Sequence, residues 1–426
     1  MLGVSSEMTE SCAIFASRIA NKNTSGWLTD HVLLITDGCI EAIVPKAQAP
    51  TDLSSSRQVY DVGDKSVLPG HIEAHAHMHC SATHNAYQMM MTDDTPTLFM
   101  RATGALRQAL LAGVTTMRDL GSRNEIAFAM KSAIADGVIV GPDMLVAGTP
   151  ITTTAGHCWF FGSEADNEDE LVKAVRRQIR LGADVIKVMA TGGNFTPTSN
   201  TRRPQYDAKA LRSAVDEAER SGIPVAAHVH AASGVRNCVD AGVHHLIHCR
   251  WLSSDPKKGF EYDPETATRI ADKGLFVDST IGTYMLREEA AALGLPVGQQ
   301  HWSATERPIT PQEQIDALCD MRARGVGFTA GLDMGMSYAE FNKPGATAWA
   351  YVDWLGFTPW QALSSATRET ANALGLAGKT GSLIPGLNAD IAVFRGDPAK
   401  SIRDWHDPET VFLRGRPVKL SGRELI

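Results

Sequence analysis

The chain is short of paired-cysteine motifs, of basic excess and of long apolar runs, and each shortage removes a class of protein. Seven cysteines lie scattered at Cys12, Cys39, Cys80, Cys158, Cys238, Cys249 and Cys319, an odd number with no CxxC spacing. That argues against a disulfide scaffold and a structural zinc module, and leads us to expect a reducing, cytoplasmic compartment. Formal net charge is −8, so no basic face advertises nucleic acid, and none is expected as a partner. No stretch of about 18 apolar residues reads as a transmembrane helix, and no membrane partner is expected. The opening MLGVSSEMTESCAIFASRIA lacks the basic start and continuous apolar core of a signal peptide.

What is present is a large apolar fraction, 43% of 426 residues, and 14 histidines placed unevenly. Five of the histidines fall between His71 and His84, and five between His228 and His248. The length exceeds one ordinary domain, yet an α/β barrel can hold most of it.

Residues 10 to 65 read as short strands with turns. HVLLITDGCIEAIVP predicts two strands around an Asp37-Gly38 hairpin. Helix and strand then alternate. TLFMRATGALRQALLAG leads to VTTMRDLG, NEDELVKAVRRQIRLGA to DVIKVMATGG, AKALRSAVDEAERSG to IPVAAHVHA, and EQIDALCDMRARG to VGFTAGLD. Repeated βα units predict a parallel sheet, and about eight of them a (β/α)8 TIM-type barrel. After residue 378 the texture is β again, in GSLIPGLNADIAVFRGD and TVFLRGRPVKL. The expected α/β architecture is a barrel over 67–377 and a small β-sandwich domain built from 1–66 and 378–426.

Reactive side chains of a parallel barrel sit at the C-terminal ends of its strands. His75 and His77 close the strand opened by VLPGHIEA, and a spacing of two puts both rings on one face, within reach of one metal. Taken alone, HxH is a weak signal that reads more readily as two polar residues at a strand end. Lys187 lies inside the apolar DVIKVMATGG, where it must snorkel, find a partner or be carbamylated, since an unpaired buried ammonium is costly. His228 and His230 repeat the i, i+2 pattern. In GVHHLIHC, His248 is the favoured ligand as the residue nearest the strand end, with His244 and His245 on the preceding turn or against a helix. Asp333 follows the strand in FTAGLDMG.

The ordered set of HxH, strand lysine, two later histidine strands and a final aspartate resembles the amidohydrolase superfamily, the barrel metalloenzymes related to urease and dihydroorotase. The resemblance spans nearly the whole chain, including the tail GKTGSLIPGLNADIAVF. Within the superfamily it is most similar to the imidazolonepropionase-like and prolidase-like branch. It implies two divalent metals, zinc first with cobalt or manganese as substitutes, bridged by N6-carboxylated Lys187. His75, His77 and Asp333 would hold the more buried metal, and His228 and His248 the other. A hydroxide shared by the metals would be the nucleophile, Asp333 the general base and then acid, and His230 the group facing the carbonyl oxygen or oxyanion. His230 also reads as a plain core histidine.

The same resemblance points to a substrate-contacting His157 in TTTAGHCWFFG and places Tyr206 near substrate. Arg202 and Arg203 read either as carboxylate binders or as solvated loop charges. Trp159, with Phe160 and Phe161, reads as an apolar pocket. The methionines 89–91, with Phe99 and Met100, read as pocket or as helix packing. Glu73 stands where the family more often has aspartate, and His71 where it has an apolar residue, for no reason visible in the sequence. The expected reaction is hydrolysis of a small-molecule amide, an N-acyl amino acid or dipeptide with a terminal carboxylate, as in ochratoxin-degrading amidases of the branch. Urea, carbamate or thiocarbamate cleavage, cyclic-amide opening and a non-catalytic scaffold are the alternatives. Relatives form symmetric multimers, so a homo-oligomer is expected.

Overall fold

The computed structural model describes residues 11–123, 125–297 and 310–426. Residues 1–10, part of the stretch read for a leader, lie outside them. Among the described residues no helix is long and apolar enough to cross a membrane.

The chain divides into two compact units. The first gathers Met1–Ile72, Ala109–Thr115 and Thr358–Ile426. It holds a four-stranded sheet ordered Cys39–Pro45, His31–Thr36, Cys12–Phe15, Gln58–Asp61. The Asp37-Gly38 turn joins its first two strands, and both residues take positive φ (53° and 77°), as a type I′ hairpin requires. A seven-stranded sheet includes Ile391–Phe394 paired antiparallel to Ser66–Pro69, with Val393 opposite Val67. Strands from the two ends of the sequence thus share the seven-stranded sheet.

His71 gains an explanation here. Its ring is buried, its Nδ1 accepts from Trp405 Nε1 (3.4 Å), and Trp405 stacks on Phe394. Burial drives its pKa down to about 3, so it packs as a neutral aromatic ring.

The second unit, Glu73–Gln108 and Thr116–Phe357, is the α/β part. Its helices follow from local signals. In Glu168–Leu181, the Asn167 side chain accepts from Glu170 N, acids fill the first turn, Gly182 ends the helix at φ 94°, and Leu171, Val175 and Gln178 form the buried face. The strands Ile186–Met189, Val225–Ala231, His245–Leu252, Phe276–Asp278 and Gly327–Phe328 pair parallel in that order, with Ile151–Thr152 and Ser163–Glu164 at one edge. His71–Ala76, Val114–Asp119 and Asp143–Val146 form a three-stranded sheet. Backbone bonds reach from both ends of that smaller sheet. Ala74 N donates to Ala330 O (3.0 Å), Met334 N to His75 O (3.0 Å) and Asp184 N to Val146 O (2.9 Å).

Leu120, Ala147, Val185, Ala226 and Ile247, each on a strand or one residue from its end, form a fully buried cluster. Leu120→Ala should therefore cost about 2–5 kcal/mol, the usual range for a buried leucine truncation. Chemical denaturation checks this, and a loss under about 1 kcal/mol would show that the cluster collapses around the gap.

Candidate metal centre and substrate cavity

The Val225–Ala231 strand presents His228 and His230, and its neighbour His245–Leu252 presents His248. Their pairing slips between Val229–His248 and Ala231–Leu252, so the second strand carries extra residues there. His248, Cys249 and Trp251 take positive φ (69°, 48° and 57°) in this irregularity. Such a bulge re-aims side chains and carries local backbone strain. Asp333 (φ 63°), Thr280 (φ 49°) and Cys158 (φ 56°) are likewise left-handed. Non-glycine residues held this way collect at functional sites.

Two sets of donor atoms converge, His75, His77 and Asp333 in one and His228, His230 and His248 in the other, each within 4.8 Å. Asp333 Oδ1 lies 3.3 Å from His75 Nε2 and 3.4 Å from His77 Nε2. The ring centroids of His228 and His248 are 4.7 Å apart, and those of His75 and His248 5.5 Å. Remote ring nitrogens are held from behind. His77 Nδ1 donates to Gly121 O (2.9 Å), His228 Nε2 to Gly192 O (3.2 Å), and His248 Nδ1 bonds Thr280 Oγ1 (2.8 Å). That arrangement fixes the tautomer and turns the other nitrogen inward, as ligating histidines require.

Burial drives the pKa values of His75, His228, His230 and His248 well below the ordinary value, so their rings are neutral and carry lone pairs. Burial pushes Asp333 up, but His75, His77 and Lys187 outweigh it and hold its carboxyl below the usual range. Both nitrogens of His75, Nδ1 of His230 and Oδ1 of Asp333 are buried without a hydrogen-bond partner among the described residues. Buried acceptors facing one another are costly unless something positive sits between them. Donor chemistry and spacing both fit divalent cations.

Lys187 is 2% exposed in the Ile186–Met189 strand. Burial is the main influence on it and lowers its pKa to about 8, despite Asp333 and Asp278 nearby. Its charge acts on His75 of one donor set and on His228, His230 and His248 of the other. One cavity is lined by both donor sets, Lys187 and His157. The His157 ring sits 4.4 Å from that of His228.

The amidohydrolase family model matches residues 66–418. The chain belongs to the amidohydrolase family. An ochratoxinase from Aspergillus niger is 27% identical over 418 residues, spanning 90% of this chain and 81% of that protein. An imidazolonepropionase from Chromobacterium violaceum is 25% identical over 383 residues, spanning 87% and 86%. A solved prolidase complexed with N-methylphosphonate-L-proline superposes with a TM-score of 0.81 at 25% identity, covering 96% of this chain and 100% of that one. This amidohydrolase is a hydrolase acting on carbon–nitrogen bonds.

Four residues expected beside substrate are not brought to the cavity walls of the amidohydrolase. Arg202 is 3% exposed and spends its guanidinium on the carbonyls of Ser253 (3.1 Å) and Gly259 (2.8 Å). Arg203 is exposed. Tyr206 turns its hydroxyl onto Ala165 O (2.7 Å), and Trp159 is 39% exposed while its neighbour Phe161 takes the cavity position. The methionines 89–91 and Met100 do not line this cavity either: Met90 is core, and Met100 is 76% exposed. His244 accepts from Val225 N and His245 stacks on Phe276, both apart from the donor sets.

Sequence reasoning missed Asp278. It is fully buried, its Oδ2 lies 3.4 Å from His75 Nδ1, and burial raises its pKa to about 6 against the pull of Arg118. A carboxylate behind a ligating histidine orients the ring. The only sequence signal was an acid at a strand end, in LFVDST. Glu73, the departure from the family's aspartate, accepts from His75 N (2.9 Å) and Leu332 N (2.8 Å), tying the HxH strand to the segment before Asp333. Gly331 sits in that segment, and a Cβ there would overlap the Asp278 carboxylate. Gly331→Ala should cost about 1–3 kcal/mol by overpacking. It should also reduce metal content by displacing Asp278 from His75. A melting scan with metal analysis checks both, and a wild-type melt would refute the close packing.

Proposed function

We propose that this amidohydrolase is a binuclear metal-dependent enzyme that cleaves the amide bond of an N-acyl amino acid or dipeptide-like substrate. The observation that carries this reading is the pair of buried donor sets with Lys187 acting on both. The scaffold we propose is a (β/α)8 barrel over 67–377, with a β-sandwich domain formed from 1–66 and 378–426. The backbone bonds from Ala74 to Ala330 and from Asp184 to Val146 support closure of the barrel.

His75, His77 and Asp333 would hold one cation, His228 and His248 the other, and N6-carboxylated Lys187 both. When bound, the two divalent cations, zinc foremost, polarise the amide carbonyl and acidify water. Four-coordinate sites favour leaving His230 off the metals, since two histidines and the lysine bridge already supply three protein ligands to the second. His230 then hydrogen-bonds the substrate carbonyl oxygen as negative charge grows there. Asp333 takes a proton on Oδ1 from the attacking water and returns it to the departing nitrogen. His157, beside His228, orients the acyl group. Desolvation by the cavity walls strengthens each of these contacts.

An aromatic stretch of wall, Tyr87, Phe161 and Phe195, favours a second reading. A phenylurea or carbamate would fill such a wall without needing a carboxylate. A mass-spectrometric hydrolysis screen of zinc-supplemented protein separates the two. Its panel holds N-acyl aromatic amino acids including ochratoxin A, Xaa-Pro and Xaa-Arg dipeptides, and phenylureas. Release of free amino acid carries the first reading, and cleavage confined to ureas carries the second. Inertness across the panel, with no bound zinc, would leave a non-catalytic scaffold.

A further inference from the structure

We infer that Arg287 is the residue that selects a carboxylate on the substrate, with the buried Arg250 positioning the wall around it. The inference rests on the amide-hydrolase reading above. It starts from the helix Ile281–Ala292, which follows the strand carrying Asp278. Thr283, Tyr284 and Arg287 of this helix all line the cavity shared by the donor sets. Thr283 and Arg287 are four residues apart and share a face. Thr283 Oγ1 donates to Leu332 O, which anchors that face against the segment leading to Asp333.

Arg287 is half-buried, and its Nε donates to Ser337 O at 3.3 Å. Among the described residues it forms no ion pair with an acid, so its two Nη groups remain for a ligand. Behind the wall, Arg250 is 5% exposed, and its Cζ lies 5.2 Å from the centre of the Tyr284 ring. Arg250 Nε and Nη1 are buried with no hydrogen-bond partner among the described residues. A buried guanidinium without a counter-ion is costly, and the face of one tyrosine offsets only part of that.

Arg250 therefore packs on Tyr284, and Arg287 follows one turn further along the same helix, neither paired with an acid among the described residues. The nearby carboxylates face the donor sets instead: Asp333 Oδ1 lies 3.3 Å from His75 Nε2 and 3.4 Å from His77 Nε2, and Asp278 Oδ2 lies 3.4 Å from His75 Nδ1. A wall with surplus positive charge is completed by an anion from the substrate. A planar carboxylate suits the guanidinium fork, which binds it through paired, charge-assisted hydrogen bonds. Arg250 holds the Tyr284 ring by its charge, keeping the helix face in register. The substrate this selects has its carboxylate on the amine side of the scissile bond. Hydrolysis adds one water across C–N and releases a carboxylic acid and a free amino acid.

The test compares N-acetyl-L-phenylalanine with its neutral carboxamide, following acetate release by zinc-supplemented wild type, Arg287→Ala and Arg287→Lys. Wild type should prefer the acid by about 30-fold in kcat/KM, from hydrogen bonds to charged groups. Arg287→Ala should lose that preference through a rise in KM on the acid, so that kcat/KM for the acid and the carboxamide come within about threefold of each other, and Arg287→Lys should regain part of the preference. Equal losses on both substrates, or an unchanged preference, would overturn the assignment. Should wild type release no acetate from either compound, the amide-hydrolase reading fails on this class and calorimetry decides the arginine separately. N-acetyl-L-phenylalanine should then bind wild type about 30-fold more tightly than Arg287→Ala, and equal binding, or none, refutes the role of Arg287.

Discussion

Lys187→Ala should purify with at most about one divalent cation per chain and lose about 10³-fold or more in kcat/KM, because metal-based charge stabilisation is worth several kcal/mol and each 1.36 kcal/mol is a decade. The physical reason lies in where the lysine sits. It is buried on a strand whose neighbours are Val185, Ile186, Val188 and Met189, and burial lowers its pKa to about 8. A buried amine whose pKa is lowered toward neutrality can add carbon dioxide and release a proton to solvent. The product is an anion, which reverses the sign of the charge acting on His75, His228, His230 and His248. Those rings, neutral and orphaned of protons between them, then gain a partner that tolerates two cations. Metal analysis and kinetics read both effects. Added propionate should restore part of the activity by supplying a carboxylate in the space the side chain leaves. Wild-type metal content with wild-type activity would eliminate the bridge.

The second large effect is expected at Asp333. Asp333→Asn should lower kcat by about 10²–10⁴-fold, the usual worth of a positioned general acid–base group, with a much smaller change in KM. Its carboxylate lies between His75 and His77 and is held ionised by them and by Lys187, so it is poised to accept a proton rather than already carrying one. The amide of asparagine keeps the shape but has no basic oxygen. The melting temperature should stay near that of the parent, since backbone bonds from Met334 N to His75 O and from Met336 N to Asp333 O hold the loop independently of the side chain. A kcat within tenfold of wild type would move the proton-transfer role to another group, with His230 the first to test.

The expected ligand residues that the structure gathers around one cavity share one property. His75, Lys187, His228 and His248 lie on strands and His77 stands one residue past the end of its strand, where the period of two and the C-terminal ends assign each side chain a direction. Asp333 follows a strand by a few residues, and Gly331 keeps that approach narrow. For these, a linear pattern carries three-dimensional information because parallel strands are in register with one another. His157 was legible only through a resembling motif, and the structure sets its ring against that of His228.

Loop and helix residues carry no such rule. Arg202 and Arg203 in TRRPQYDAKAL read either as carboxylate binders or as solvated loop charges; in the structure Arg202 bonds the carbonyls of Ser253 and Gly259, and Arg203 is exposed. Nothing in the local sequence distinguishes them from Arg287, whose place on the cavity wall depends on the packing of the Ile281–Ala292 helix. Asp278 was equally silent, since an acid at a strand end becomes a histidine's partner only when the HxH strand is brought beside it.

By itself, then, the sequence determined the class of protein, through a βα array between β-rich ends, two histidine strands, a strand lysine and a late aspartate. Hydrophobic periodicity and strand alternation are local, and they survive translation into a string of letters. Tertiary structure alone decided which charges are used up by backbone carbonyls, which stay unpaired, and which face the cavity. Those outcomes depend on desolvation and on partners far away in the chain, and no spacing within one segment encodes either.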